Sequence, residues 1–403
     1  MAYILFINPQ ILAQAGLPAD EVAFATAASA AIATLVMGLA ANYPFALAPG
    51  MGLNAYFTFG VVLGMGIDWK VALTAVFIEG FLFLALSLGG VRAAVIDALP
   101  DTLKISTMAG IGLFLAIIGF QNAGLVVDHP ATLITLGSLS EGRVLIALGG
   151  LLLIGGLFAR RFPGAILIGI LAATALGWLT GLAPLPTGVF AVPTVPTETL
   201  LAFDFDAVVS GKIIGVVLAF LFVDFFDTAG TLIGVGRLGG FLDEEGSLPN
   251  GNRAFAADAI GTTVGAALGT SSVTTYIESA TGIEEGGRTG LTAVVTATLF
   301  AASLFFIPLV TAIPGFATAP ALIVVGALMM RGTRDIPWER FDEALPAFLV
   351  LSGMAFTYSI ATGIALGIVS WLALKVVTGQ WRAAHPVMYG LAGLLVLYYG
   401  TIG

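Results

Sequence analysis

The sequence predicts an all-α polytopic membrane protein of about fourteen transmembrane segments in two inverted seven-helix repeats. Three observations carry this. Of 403 residues, 58% are hydrophobic and 10% charged, whereas soluble domains are roughly 25% charged. Apolar stretches follow one another with short breaks, most of them near the ~20 residues a helical span needs. Polar or Gly-rich breaks recur in the third segment of each half, the pattern expected of matched interrupted helices.

Taken in order, the first-half spans fall at 1–14, 20–41, 45–60, 69–90, 104–127, 143–159 and 163–181. A Pro-rich loop, "LAPLPTGVFAVPTVPTETL", fills 182–200. The second-half spans fall at 207–233, 253–268, 271–287, 289–312, 316–331, 343–357 and 359–377, and a further apolar stretch at 386–402 is left unplaced. Positive charge tests the count. With a cytoplasmic N-terminus, the even-numbered connections hold Arg92, Lys104, Arg160, Arg161, Arg237, Arg253, Arg288, Arg331, Arg334 and Arg340, and the odd-numbered ones only Lys70, Arg143 and Lys212. The N-terminus is therefore expected inside and the Pro-rich loop outside. "IDALPDTLKISTMAGIGLFLAII" (96–118) resembles "TAIPGFATAPALIVVGALMM" (311–330), each a proline, a small-residue step and an apolar span. Seven spans is an odd number, so the second half must lie inverted.

Composition excludes several functions. A net charge of -9 without basic runs argues against nucleic-acid partners and polybasic lipid tethers. Cysteine is absent, so thiol chemistry is out, and no P-loop supplies ATP. His129 and His385 sit beside prolines and are read as loop residues. Asp243, Glu244, Glu245, Glu284 and Glu285 are read as solvated charges.

The candidate site lies at the two breaks. In "GTSSVTTYIES" (269–279), five of six residues from Thr270 to Thr275 carry hydroxyls. That suits an extended segment, Gly269–Thr275, leading into a half-helix from about Tyr276, with Glu278 in its first turn. Non-helical backbone at membrane depth survives only when buried in protein or lining a wet cavity. A capped surface loop with a solvated Glu278 is the competing reading. In "NYPFALAPGMGLNAYF" (42–57), Pro44, Pro49, Gly50 and Gly52 break the helix, and Asn54 follows; a Pro-kinked helix with Asn54 bonding a neighbour is the alternative. "VDFFDTAGTLIGV" (223–235) sets Asp224 and Asp227 three apart on one helix face. Acids inside a span are functional candidates by default, and a carboxyl that gains and loses a proton suits coupled transport. Asp224 is alternatively part of a buried network. Asp258 is read as structural, bonding a nearby helix end, and Glu79 is left open between the two roles.

With those stretches and "MAYILFINPQIL" (1–12) in hand, the chain resembles the AzgA-like guanine/hypoxanthine/adenine permeases of the nucleobase transporter superfamily, along its whole length. The resemblance implies a core domain (1–90 and 207–312, spans 1–4 and 8–11) and a gate domain (91–181 and 313–403, spans 5–7 and 12–14), with 182–206 as an extracellular loop. It implies short strands interrupting spans 3 and 10 that meet at the site. It assigns Glu278 to ring N–H recognition, Tyr276 and Ile277 to the site wall with Thr275 beside them, and the Leu53 backbone and Asn54 side chain to the third-span strand. Asp227 becomes a second ligand or proton site, shared with Glu278 and Asp224. The family carries further chain before the stretch that begins here at Met1. The spacing from Asp227 to Glu278 is 51 residues, and the same step back from Asn54 reaches residue 3. The first span is therefore expected to be truncated.

The expected activity is proton-coupled import of a purine base, not an enzymatic reaction. No cofactor beyond the coupling ion is expected, with sodium left open beside the proton. The expected partners are the purine and membrane lipid, with a homodimer left open. A uracil or xanthine carrier of the same fold is the alternative. A passive channel suits buried acids less well, and an intramembrane prenyltransferase would need a second Asp-rich cluster that the chain does not offer.

Overall fold

Several helical segments end on a residue in the left-handed region, Asn42, Gly240 and Gly269 among them. The computed structural model describes residues 1–88, 100–209, 213–243 and 248–402. In the first half, α1 (Ile4–Gln14) leads to α2 (Ala19–Val36). α2 starts after an extended Pro18, with Asp20 and Glu21 in the first turn, where acids favour the positive end of the helix dipole. It runs on through a π-helical turn, Met37–Ala41, which closes on Asn42 in the left-handed region. Strand β1 (Leu47–Pro49), α3 (Met51–Ala55) and a π-helical stretch, Tyr56–Gly64, make the third segment. Next come α4 (Trp69–Leu88), α5 (Asp101–Asn122), the hairpin β2 (Val126–His129) and β3 (Leu133–Leu136), α6 (Gly142–Ala159) and α7 (Ala165–Leu179).

The second half holds α8 (Ile214–Gly239), α9 (Gly251–Leu268), β4 (Val273–Thr275), the short α10 (Ser279–Glu284) and α11 (Gly290–Ser303). α12 (Gly315–Met329), α13 (Phe341–Thr357), α14 (Ile360–Val377) and α15 (Pro386–Ile402) complete it. The unplaced 386–402 stretch is thus a helix. Among the described residues, eight helices are long and apolar enough to cross a membrane, and Ile4–Gln14, Met51–Gly64 and Ala165–Leu179 are shorter apolar helices.

Three expectations need correction. The run 104–127 is not one helix: α5 ends at Asn122, Gly124 turns through a positive φ of 71°, and β2 pairs antiparallel with β3 from Val126↔Leu136 to His129↔Leu133. β-branched Val126, Val127, Ile134 and Thr135 favour extended backbone, and Pro130 sits in the turn between the strands. His129 therefore closes a strand, where it is exposed. The tenth-span helix begins at Ser279, three residues later than expected, so Glu278 caps it instead of standing in its first turn. Leu53 and Asn54 lie on α3, past the third-span strand, which is Leu47–Pro49. Arg92, Lys212, Glu244, Glu245 and the boundary near residue 90 lie outside the described residues.

Packing brings the two halves together. α4 lies along α9, α2 along α9 and α11, α5 along α12, and α13 along α14. Lys375, 2% exposed, pairs with Asp342 and, at 2.7 Å, with Glu343, joining α14 to α13. One close crossing sets the π-helical turn after α2 on α11. A Cβ built on Gly290 would lie 1.9 Å from the Gly38 carbonyl oxygen, and the Gly290 N–H donates to Asn42 Oδ1 at 2.9 Å. A helix backbone cannot yield as a side-chain tip can. Gly290→Ala is expected to cost about 1–3 kcal/mol and to lower the melting midpoint in detergent. Gly149→Ala, with nothing within 4 Å of its added Cβ, should leave that midpoint in place. Equal midpoints for the two variants would refute the crossing.

Candidate functional site

A two-stranded ribbon at membrane depth has a supply problem. Each strand has one neighbour, so half of its backbone groups point away from any ladder. β1 pairs antiparallel with β4 in the register Leu47↔Thr275, Ala48↔Thr274, Pro49↔Val273. Gly50 N donates to Ser272 O at 2.9 Å and Tyr276 N to Ala46 O at 3.0 Å, extending the ladder at both ends. Those bonds lie two residues either side of Ala48↔Thr274, so by alternation the groups of Leu47, Pro49, Val273 and Thr275 face outward.

Side chains meet those outward groups. The Thr34 hydroxyl donates to Leu47 O and accepts from Leu47 N, both at 2.9 Å. In the other half, Thr262 Oγ1 accepts from Val273 N at 3.1 Å and offers its proton to Val273 O at 3.0 Å and Asp224 Oδ2 at 3.1 Å. Asp258 Oδ2 accepts from Thr275 N at 2.8 Å and Thr275 Oγ1 at 3.0 Å. Tyr276 Oη donates to Pro49 O at 2.6 Å. Pro49 brings no N–H, so that outward position needs no acceptor. The hydroxyl-rich sequence is thus largely backbone satisfaction: Thr275 is committed to Asp258 and Tyr276 to β1. Asn54, fully buried, accepts from the Ser271 hydroxyl.

The acids divide into two groups. Glu79, Asp224 and Asp258 are fully buried behind the ribbon. Glu79 Oε1 and Asp224 Oδ1 meet no hydrogen-bond partner among the described residues, and Ser272 Oγ donates to Glu79 Oε2 at 3.2 Å. Asp258 bonds strand residue Thr275 and not the helix end expected of it. Asp227 and Glu278 are only half-buried. Thr274 Oγ1 lies 3.4 Å from Asp227 Oδ2 and 3.0 Å from Thr228 Oγ1. α8, which carries Asp227, packs against the short α10 that Glu278 precedes. The Tyr3 phenol donates to the Glu278 carboxylate. Ile277 is 54% exposed, and its carbonyl accepts from Ala280 N at 3.0 Å. Among the described ion pairs, none involves any of these five acids. No group of three or more acids and histidines among the described residues is arranged to hold a metal ion.

The structure therefore brings Glu278 and Asp227 together and sets Asp224, Thr275 and Asn54 behind them as support. Tyr3, Thr34, Thr262 and Ser271 were missing from the sequence-derived set. The 51-residue step pointed to position 3 but supplied no partner for it; nothing in the sequence marks Thr34 or Thr262. A separate open cavity of about 490 Å³ is lined by Gln121, Glu141, Arg143, Pro314 and Phe316 among others. It touches neither strand of the ribbon, so it is not the site derived from the breaks.

Known proteins decide what this ribbon belongs to. A profile described as Permease family (Xan_ur_permease) matches residues 1–366. The chain belongs to this permease family. It is a multi-pass membrane protein of a transporter family, not an enzyme. It is 45% identical to the guanine/hypoxanthine permease PbuO of Bacillus subtilis (strain 168), over 98% of this chain and 93% of that one. It is 40% identical to the adenine permease AdeQ of Escherichia coli (strain K12), over 98% of this chain and 89% of that one. Among solved structures, the transmembrane domain of the cyanobacterial bicarbonate transporter BicA superposes with a TM-score of 0.66 at 17% identity, covering 91% of this chain and 95% of that one. That likeness concerns the permease fold alone.

Proposed function

We propose that this permease is a secondary transporter importing purine nucleobases, guanine and hypoxanthine or adenine. The observation that carries the reading is Glu278: a half-buried carboxylate beside the ribbon, held by a hydroxyl donor and absent from the ion pairs among the described residues. A purine offers ring N–H groups, and a carboxylate with spare lone pairs accepts them. The relatives named as guanine/hypoxanthine and adenine permeases support those bases over uracil or xanthine.

In the same reading, fourteen segments form two inverted halves with the N-terminus cytoplasmic. The matched clips, Thr34 on β1 and Thr262 on β4, support that symmetry. A core of 1–90 and 207–312 moves against a gate of 91–181 and 313–403, exposing the site to each side in turn. Asp227, beside Glu278 and half-buried, takes the coupling proton, and sodium is the other ion to test.

The test is uptake of labelled hypoxanthine into cells lacking their own purine carriers, at two pH values and with and without sodium. Guanine, adenine, uracil and xanthine serve as competitors. Saturable uptake, faster at the lower external pH and blocked by excess purine, is expected. No uptake of any labelled purine would overturn the substrate class. Uptake that follows sodium and ignores pH would overturn proton coupling alone.

A further inference from the structure

Tyr3 joins the first helix to the second half's acid. Its hydroxyl donates to Glu278, 275 residues along the chain. The Tyr3 side chain is 3% exposed, and its carbonyl accepts from Phe6 N at 3.1 Å and Ile7 N at 3.0 Å, so both ends of the residue are fixed. Glu278 is the less enclosed member: it is half-buried and stands at the N-cap position of a helix of six residues, with no capping bond from its side chain. The ribbon's other donors are spent elsewhere. Tyr276 bonds Pro49, Thr275 bonds Asp258 and Ser271 bonds Asn54. Tyr3 is the side-chain donor described on this carboxylate. Tyr276, Asp227 and the amino group of Met1 are its other titratable neighbours, and none of the three is among the hydrogen bonds described on it.

We infer that Tyr3 is a positioning residue that sets which face of Glu278 is offered to the ligand, and so the choice among ligands by their ring N–H groups. The inference rests on the purine reading above. A carboxylate has about four lone-pair directions. A buried phenol that occupies one of them fixes the carboxylate plane, and the remaining oxygen points one way. A ligand with an N–H at that position gains a charge-assisted bond to a group already ordered. A ligand methylated there meets the same fixed oxygen with a methyl group and is rejected. Without the phenol, the Glu278 side chain turns freely, so affinity falls for the good ligand and the penalty on the poor one shrinks.

Tyr3→Phe tests this, because it removes one oxygen and keeps the ring. KM and Vmax for labelled hypoxanthine are measured for the wild-type protein and the variant, with Vmax normalised to folded protein. Inhibition by the 1-, 3-, 7- and 9-methylhypoxanthines is measured beside them. The methyl position that costs most in the wild type marks the N–H that meets Glu278. Tyr3→Phe is expected to raise KM roughly 10- to 100-fold, as for loss of one hydrogen bond to a charged group. Vmax should stay within about twofold, since the chemistry of translocation does not pass through the phenol. The penalty at the marked methyl position should shrink several-fold. A lower Vmax or yield with unchanged KM and unchanged selectivity makes Tyr3 a mere clamp and overturns the inference. Tyr3→Leu is run alongside, and failure of both variants to give folded protein overturns it in the same way. Wild-type protein that takes up no purine overturns the purine reading itself.

Discussion

Glu278→Gln abolishes purine uptake and leaves a folded, membrane-inserted protein. The two side chains have the same shape, so packing around the crossing is undisturbed. The amide oxygen still accepts from Tyr3, which preserves the tie between α1 and the second half. What changes is the other terminus: an acceptor oxygen becomes an NH₂ donor. A ring N–H then faces a donor, and the site loses a charge-assisted bond while gaining an unpaired group. Losses of this kind are worth about 2–4 kcal/mol, so uptake at fixed substrate falls roughly 30- to 1000-fold. Half-buried Glu278 takes part in none of the ion pairs among the described residues, so its neutralisation strands no lysine or arginine there. Fluorescence size-exclusion profiles should therefore match the parent. Uptake with the parent's KM in this variant would remove Glu278 from recognition.

Thr262→Val is expected to be as damaging for a different reason. One hydroxyl holds both outward groups of Val273 and reaches Asp224 as well. Valine fills the same volume and offers nothing to them. Two backbone groups are then stranded where no water reaches, at about 1–3 kcal/mol each. The sum rivals much of the stability of an ordinary domain. Thr262→Ser keeps the hydroxyl and should keep the fold. The measurement is the yield of monodisperse protein and its melting midpoint for Val, Ser and the parent. A Val variant as stable as the Ser variant would mean that the ribbon finds other partners. Thr34→Val probes the matching clip on Leu47 in the other half.

The two breaks were legible because polar and Gly-rich residues in an apolar chain have few places to go. Pro49, Gly50 and the hydroxyl run from Thr270 announce backbone that cannot be helix. Glu278 and Asp227 stood out because acids are costly in a span. The hydroxyls misled about their purpose. Sequence pattern cannot say whether Thr275 faces a ligand or Asp258, since both explain a hydroxyl beside an acid. The half-helix starts late because Tyr276 is engaged as a ribbon residue, its N–H on Ala46 and its phenol on Pro49. Tyr3 was hidden by distance along the chain. The repeat step located its position, and only the three-dimensional fold shows that it meets Glu278. The β2–β3 hairpin was hidden by its own hydrophobicity, which reads as a continuation of the preceding helix.

The five acids around the ribbon have an electrical consequence. No lysine or arginine cancels them among the described ion pairs, so the charge of this region is set by the protons it holds. One uncompensated carboxylate carried across a full 100 mV exchanges about 2.3 kcal/mol with the membrane potential. Under alternating access, a core that returns empty and ionised is driven by voltage, whereas one that returns protonated ignores it. In the proposed cycle, the current that accompanies each purine would count the protons that stay behind.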